Sequence, residues 1–98
     1  MANEKTGIAG SLESCDALVM AIISSDREGL EIEIDGPSLA AFGDSMREAA
    51  KETLESLGIN SCFLRVQDRG ALDCTLRARI ETAARRALAA DDEKAEEP

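Results

Sequence analysis

The run Glu13-Ser14-Cys15-Asp16 places a hydroxyl, a thiol and two carboxylates side by side. Side chains of these types serve as nucleophiles, as proton-transfer pairs or as points of covalent attachment. The sequence contains no His, so no Ser-His or Cys-His pair can form, nor any His-containing metal site. A serine is a weak nucleophile at its own pKa. Ser14 therefore reads either as a plain turn former, its hydroxyl bonded to nearby backbone, or as a handle that another enzyme modifies. A handle must be exposed, must hold its oxygen clear of the fold and needs a rigid base. The tip of a hairpin meets all three demands.

The flanking residues are read the same way. Carboxylates on both sides of Cys15 argue against a reactive thiolate. Glu13 and Asp16 could form a catalytic pair, but nothing else in the sequence builds a pocket around them, and solvated turn acids are the plainer reading. They could instead help a modifying enzyme hold a metal ion or orient the chain. Cys62 and Cys74 are expected in the core, where a free thiol acts as a small apolar group. Arg65, Arg69, Arg77, Arg79, Arg85 and Arg86 form either a solvated face or a docking face for a partner or a phosphate-rich arm. There is no P-loop, no dinucleotide fingerprint and no CxxC. The Asp-Ser-Leu motif of fatty-acid acyl carriers is absent too.

Twenty acidic against eleven basic residues give a net charge of −9 over 98 residues. Such a chain repels nucleic acid and anionic membranes and attracts basic protein surfaces. Three cysteines without a close pair fit free thiols in a reducing, cytoplasmic compartment. Met1 to Thr6 lacks an apolar signal region, and no apolar run approaches the ~20 residues of a membrane span. Phe42 and Phe63 are the only aromatics, so the core must be aliphatic.

These residues need elements to position them. Gly7–Leu12 and Ala17–Ile23 are apolar segments around a four-residue polar break, the pattern of a β-hairpin with Ser14 at its tip. Leu30–Ile34 alternates as a half-buried strand. After the turn Asp35–Ser38, Leu39, Phe42, Met46, Ala49, Ala50, Thr53, Leu54 and Leu57 recur at helical spacing, up to Gly58. Cys62, Leu64 and Val66 mark a fourth strand, broken at Asp68-Arg69-Gly70. Leu72, Leu76, Ile80, Ala83 and Ala87 mark a second helix. The expected fold is α+β, a small sheet of about four strands in the order β-β-β-α-β-α, covered on one face by two helices. Residues 1–90 form one domain, and the acidic segment 91–98 is expected to be a disordered tail.

Ala9-Gly10-Ser11-Leu12-Glu13-Ser14-Cys15-Asp16 resembles the prosthetic-group motif of the citrate lyase acyl carrier proteins, the gamma subunits of that lyase. Asp68-Arg69-Gly70-Ala71-Leu72-Asp73-Cys74-Thr75-Leu76-Arg77-Ala78-Arg79 resembles the second signature of that family. Leu30–Ile34, Phe42-Gly43 and Glu52–Ile59 are similar as well. The resemblance covers about Thr6 to Leu88. It implies a non-catalytic carrier domain whose Ser14 bears 2'-(5''-phosphoribosyl)-3'-dephospho-coenzyme A through a phosphodiester. It also implies an arm ending in an acetylated thiol, and an alpha subunit that exchanges acetyl for citryl. A beta subunit then releases oxaloacetate, and a prosthetic-group transferase matures the chain. No metal is implied. Cys15 departs from the motif, standing where a smaller or hydroxyl residue is expected. The carrier of malonate decarboxylase, with the same kind of arm, is the nearest alternative. A protein-binding adaptor is a reading of a different class, and a thiol redox protein is disfavoured by the lack of CxxC.

Overall fold

The structure of the chain, a computed structural model, describes the backbone of residues 4–96 and the side chains of residues 4–90. The elements are β1 (Glu4–Gly10), β2 (Ala17–Ser24), β3 (Gly29–Asp35), α1 (Leu39–Ser56), β4 (Ser61–Asp68) and α2 (Asp73–Glu96). The order is the one expected, and both helices lie on one face of a four-stranded sheet. The strands run β1-β2-β4-β3. β2 is antiparallel to both neighbours, and β3 is parallel to β4. A parallel pair needs a crossover, and α1 supplies it. As a result the β1–β2 turn and the starts of both helices gather at one end of the sheet.

Alternation along the strands decides which side chains enter the core. Ala9, Ala17, Val19, Ala21, Ile34, Cys62, Leu64 and Val66 point toward the helices and are buried. Met46, Ala50 and Leu54 of α1 and Leu76, Ile80, Ala83, Ala84 and Ala87 of α2 close over them. The core is aliphatic, as the composition requires. Each large side chain such as Leu54, Leu64 or Ile80 contributes roughly 1.5–3 kcal/mol of burial as an upper figure. The alanines matter for another reason: they leave α2 room to lie close against β1 and β2.

α1 ends as Gly58 leads one to expect. Gly58 has φ 75°, its N–H donates to Glu55 O, and the Ile59 N–H donates to Leu54 O. That is a Schellman cap, sealed by the buried pair Leu54 and Ile59.

Several expectations need correction. β1 stops at Gly10, so Ser11 and Leu12 belong to the turn and the connection spans Ser11–Asp16. Phe42 is 61% exposed, with φ −127° and ψ 16° breaking the helical path, so it leaves the inward stripe. Leu72 precedes α2 and is 70% exposed. Cys62 is buried as expected, but Cys74 is exposed and no part of the core. It sits in the first turn of α2, where the inward row starts only at Leu76. The expected tail falls on residues 91–98; the backbone of α2 continues to Glu96, and the side chains from residue 91 onward lie outside those described. Among the described residues no helix is long and apolar enough to cross a membrane.

Candidate functional site

The Ser11–Asp16 turn is held from three directions. Gly10 starts it with φ 94°, and a side chain there would meet the Ala17 carbonyl at 1.8 Å. Only glycine closes the hairpin in that conformation. Asp16 N–H donates to Glu13 O at 3.1 Å, a four-residue turn with Ser14 second and Cys15 third. Cys15 has φ 66°, the left-handed value that a type II turn demands at its third position.

β4 supplies the second hold. Ala17 pairs with Asp68. One step further, Cys15 N–H donates to Arg69 O at 2.7 Å and Arg69 N–H donates to Asp16 O at 2.9 Å. Two residues of the hairpin thus oppose one of β4. This is a β-bulge of the G1 kind, whose left-handed first residue is normally glycine and is here Cys15. The departure noted in the sequence has a structural meaning: Cys15 occupies a backbone position that suits a residue without a side chain. We expect Cys15→Val to be less stable than Cys15→Gly by about 1–3 kcal/mol, because a β-branched residue is poorly tolerated there. Urea unfolding of the two variants measures it.

Asp16 is the third hold. Its Oδ1 accepts from Ala17 N–H at 2.7 Å and from Arg79 Nε at 2.8 Å. Its Oδ2 accepts from Ser11 Oγ at 2.7 Å and from an Arg79 guanidinium nitrogen at 3.1 Å. The Arg79 fork therefore binds both oxygens and ties the turn to α2, 63 residues further along the chain. Ser11 Oγ also accepts from Glu13 N–H at 3.2 Å. The bonds from Arg79, Ser11 and Ala17 hold the Asp16 carboxyl far below its ordinary value of 3.8.

A depressed pKa in the folded state adds stability above the unfolded value, and that stability is lost as pH falls through the folded one. We therefore expect Asp16→Asn to be less stable than the parent at neutral pH. The gap should close only in strong acid, well below pH 3.8. Paired unfolding curves across that range check the sign.

Ser14 differs from every neighbour. It is exposed at the crest of the turn, and among the described residues no hydrogen bond engages its hydroxyl. Glu13 is exposed, and Asp16 is saturated by its partners, so the two do not act as a free carboxylate pair. The turn thus presents one unencumbered oxygen on an over-determined base. Among the described residues no general base is set against it.

The second long motif supplies the supports. Asp68 is 1% exposed, and its Oδ1 accepts from Ala71 N–H at 3.0 Å, shaping the bend into α2. Its Oδ2 has no partner among the described residues. Arg69 clamps the turn through its backbone, and Arg79 through its side chain. Sequence reasoning placed both arginines in a surface set and missed these roles. The signal that points to Arg79 is a carboxylate in the turn and a cation on the helix, both inside the motifs. Arg77 binds Asp73 at 2.7 Å and Glu52 at 3.1 Å, linking α2 to α1. Arg85 pairs with Glu81 in solvent.

Residues 4–87 match the family model described as "Malonate decarboxylase delta subunit (MdcD)". The chain is 42% identical over 84 residues to the citrate lyase acyl carrier protein of Clostridium perfringens, covering 86% of this chain and 82% of that protein. It is 39% identical over 84 residues to the protein of the same name from Streptococcus mutans, covering 86% and 81%. The citrate lyase acyl carrier protein of Escherichia fergusonii is 39% identical over 83 residues, covering 85% and 84%. In fold, the chain is similar to a chain of the crystal structure of a Pseudomonas malonate decarboxylase hetero-tetramer in complex with malonate. The TM-score there is 0.60 at 12% identity, over 89% of this chain and 96% of that one. With one free serine on a hairpin braced by both long motifs, and with these relatives along most of its length, the chain belongs to the acyl carrier family that includes the citrate lyase acyl carrier proteins and the malonate decarboxylase delta subunits.

Proposed function

We propose that the chain is the acyl carrier subunit of a cytoplasmic citrate lyase, and that Ser14 is its point of attachment. The observation that carries this reading is the contrast between two serines of one motif. Ser11 Oγ is spent on Asp16 and Glu13, while Ser14 Oγ is exposed and free. Only the second can be esterified without dismantling the turn.

The group that fits is phosphoribosyl-dephospho-coenzyme A, joined to Ser14 Oγ through a phosphodiester. An exposed crest suits it, since so large a group requires open space and not a cavity. When bound, the group supplies a terminal thiol whose thioesters are activated for acyl exchange. The chain's own residues then do two things. Arg69, Asp16 and Arg79 hold the tether point rigid, and the surface, with a net charge of −9, steers the carrier onto basic partner faces. Bond making and breaking fall to alpha and beta subunits, consistent with a Ser14 that has no base beside it. A transferase installs the group during maturation.

Mass spectrometry of the Ser14 peptide tests this reading, on chain produced together with the partner subunits and maturation enzymes. A covalent adduct on Ser14, and citrate-dependent acyl exchange on it, is the expected result. A bare peptide from that source overturns the carrier reading. An adduct that exchanges with malonate and not citrate reassigns the chain to a malonate decarboxylase, the activity named for the family model and for the solved neighbour.

A further inference from the structure

The helices cover one face of the sheet, and the other face is open. Pairing places Ile8, Met20, Arg65 and Glu33 in one row across it and Gly10, Leu18, Gln67 and Asp35 in the row nearest the turn. Ile8 is 50% exposed, and Leu18 and Met20 are half-buried with no helix above them. Ile8, Leu18, Met20, Arg65 and Gln67 line a shallow groove of about 250 Å³. This apolar strip leads directly away from the Ser14 turn.

Charge distinguishes the same face. In so acidic a chain most arginines are engaged. Arg27, Arg77, Arg79 and Arg85 pair with carboxylates, and Arg47 and Arg86 donate to the carbonyls of Ile32 and Ile8. Arg65 and Arg69 are both exposed. Among the described residues neither has a carboxylate partner. Arg69 reaches only the carbonyl of its own neighbour, Asp68, at 3.1 Å. Alternation on β4 puts Arg65 on the open side, because Cys62, Leu64, Val66 and Asp68 point inward, and Arg69 is the exposed residue that follows the strand's buried last position, Asp68. The two arginines stand four positions apart, about 13 Å of extended chain. Arg69 is backbone-bonded to the residue after Ser14.

We propose that the open sheet face is a resting site for the arm carried on Ser14, its phosphates on Arg69 and Arg65 and its apolar portion over Leu18 and Met20. The inference rests on the carrier reading above. Charge complementarity selects this occupant: Arg69 at the tether point and Arg65 further along have no carboxylate partner among the described residues and fit a phosphate-bearing chain fixed at one end. Glu33 and Asp35 stand on β3, on the side of β4 away from the apolar strip. Another groove, between the starts of α1 and α2, is lined by Phe42, Met46, Leu72 and Leu76 with the hydroxyls of Ser38 and Ser45, one carboxylate, Asp73, and no cation. It offers a phosphate hydroxyls and helix-start N–H groups but no cationic side chain. A tethered ligand needs little intrinsic affinity to rest there, because its effective concentration is high. A weak, salt-sensitive site also leaves the arm free to depart when a partner subunit docks.

The methionines provide the test. Met20 lies on the open face and Met46 beside the helix groove, so ε-¹³C-methyl labelling of the full chain reports the two separately. Chain with and without the arm, its loading confirmed by mass, is compared by NMR. The proposal expects a shift at Met20 and none at Met46. Arg65→Gln with Arg69→Gln should abolish that shift while leaving the fold and the adduct intact. Raising the salt well above physiological strength should shrink it, since screening shortens to a few ångströms. A loaded chain with an unmoved Met20, or with Met46 moved instead, overturns the proposal and leaves the carrier reading standing. A Met20 shift that survives both arginine changes removes the phosphate contacts and overturns it equally. Absence of the adduct overturns the carrier reading, and this inference with it.

Discussion

Ser14→Ala is expected to leave the chain fully folded, without an adduct, and unable to support turnover when assembled with its partner subunits. The two halves of that expectation have separate causes. The side chain is exposed and makes no hydrogen bond among the described residues, so its loss should change stability by no more than about 0.5 kcal/mol. What is lost is the tether. A short tether holds its cargo at an effective concentration in the millimolar range, whereas a free arm would have to be supplied at micromolar levels to the same sites. Turnover should therefore fall by about 10³-fold or more and recover only with added free arm. Ser11→Ala is the informative control. It removes a hydroxyl three residues away that holds Asp16 and Glu13, so it should loosen the turn and slow attachment without preventing it. Thermal unfolding, adduct mass and coupled assay of oxaloacetate release, run on both variants, separate the handle from its scaffold. Equal adduct yield in Ser14→Ala and the parent would refute the assignment outright.

Much of this site was legible in the sequence, and the reasons are local ones. Ser14 stands out because a polar break between two apolar segments makes a hairpin crest, whatever the rest of the chain does. The alternation of Leu30–Ile34 and of Cys62–Val66, and the glycine stop at Gly58, are likewise set by neighbours a few residues away. What could not be read was long-range. The bond from Arg79 to Asp16 joins residues 63 positions apart, and it exists only because both helices start at the end of the sheet where the hairpin turns. The clamp by Arg69 depends on β4 lying beside β2, an order that no local pattern contains. Periodicity misplaced Phe42 and Leu72, and the apolar character of a free thiol misplaced Cys74, all three near element starts. Phe42 falls at a break in α1, Leu72 before α2 begins, and Cys74 ahead of the first inward position. Helical spacing assigns a face only where the helix is regular, and the ends of elements are where that condition fails.

The same long-range logic makes one methyl group at Gly7 the most damaging small change the structure suggests. β1 places Gly7 directly under α2, where an added Cβ would lie 2.1 Å from Ala83 O and 2.4 Å from Ala87 N. Both are main-chain atoms, so no rotamer change can make room, and α2 must lift away from β1. Overpacking typically costs about 1–3 kcal/mol, and a clash with backbone belongs at the upper end. For a domain of this size each kcal/mol is worth about 4–8 °C, so Gly7→Ala should lower the melting temperature by roughly 10–20 °C. Ala83→Gly should fail to rescue it, because the obstructing atom is a carbonyl and not a side chain. Gly43→Ala provides the opposite sign. It lies in α1, where a Cβ would meet only the end of the Leu39 side chain at 3.1 Å, and replacing a helical glycine gains about 0.5–1 kcal/mol. The consequence reaches Ser14. Lifting α2 carries Arg79 away from Asp16, and the turn then loses the hold that fixes its crest. Gly7→Ala should thus slow attachment at Ser14 even at temperatures where the chain stays folded. A variant that matched the parent in both melting temperature and attachment rate would show that α2 does not seat on β1 in this way.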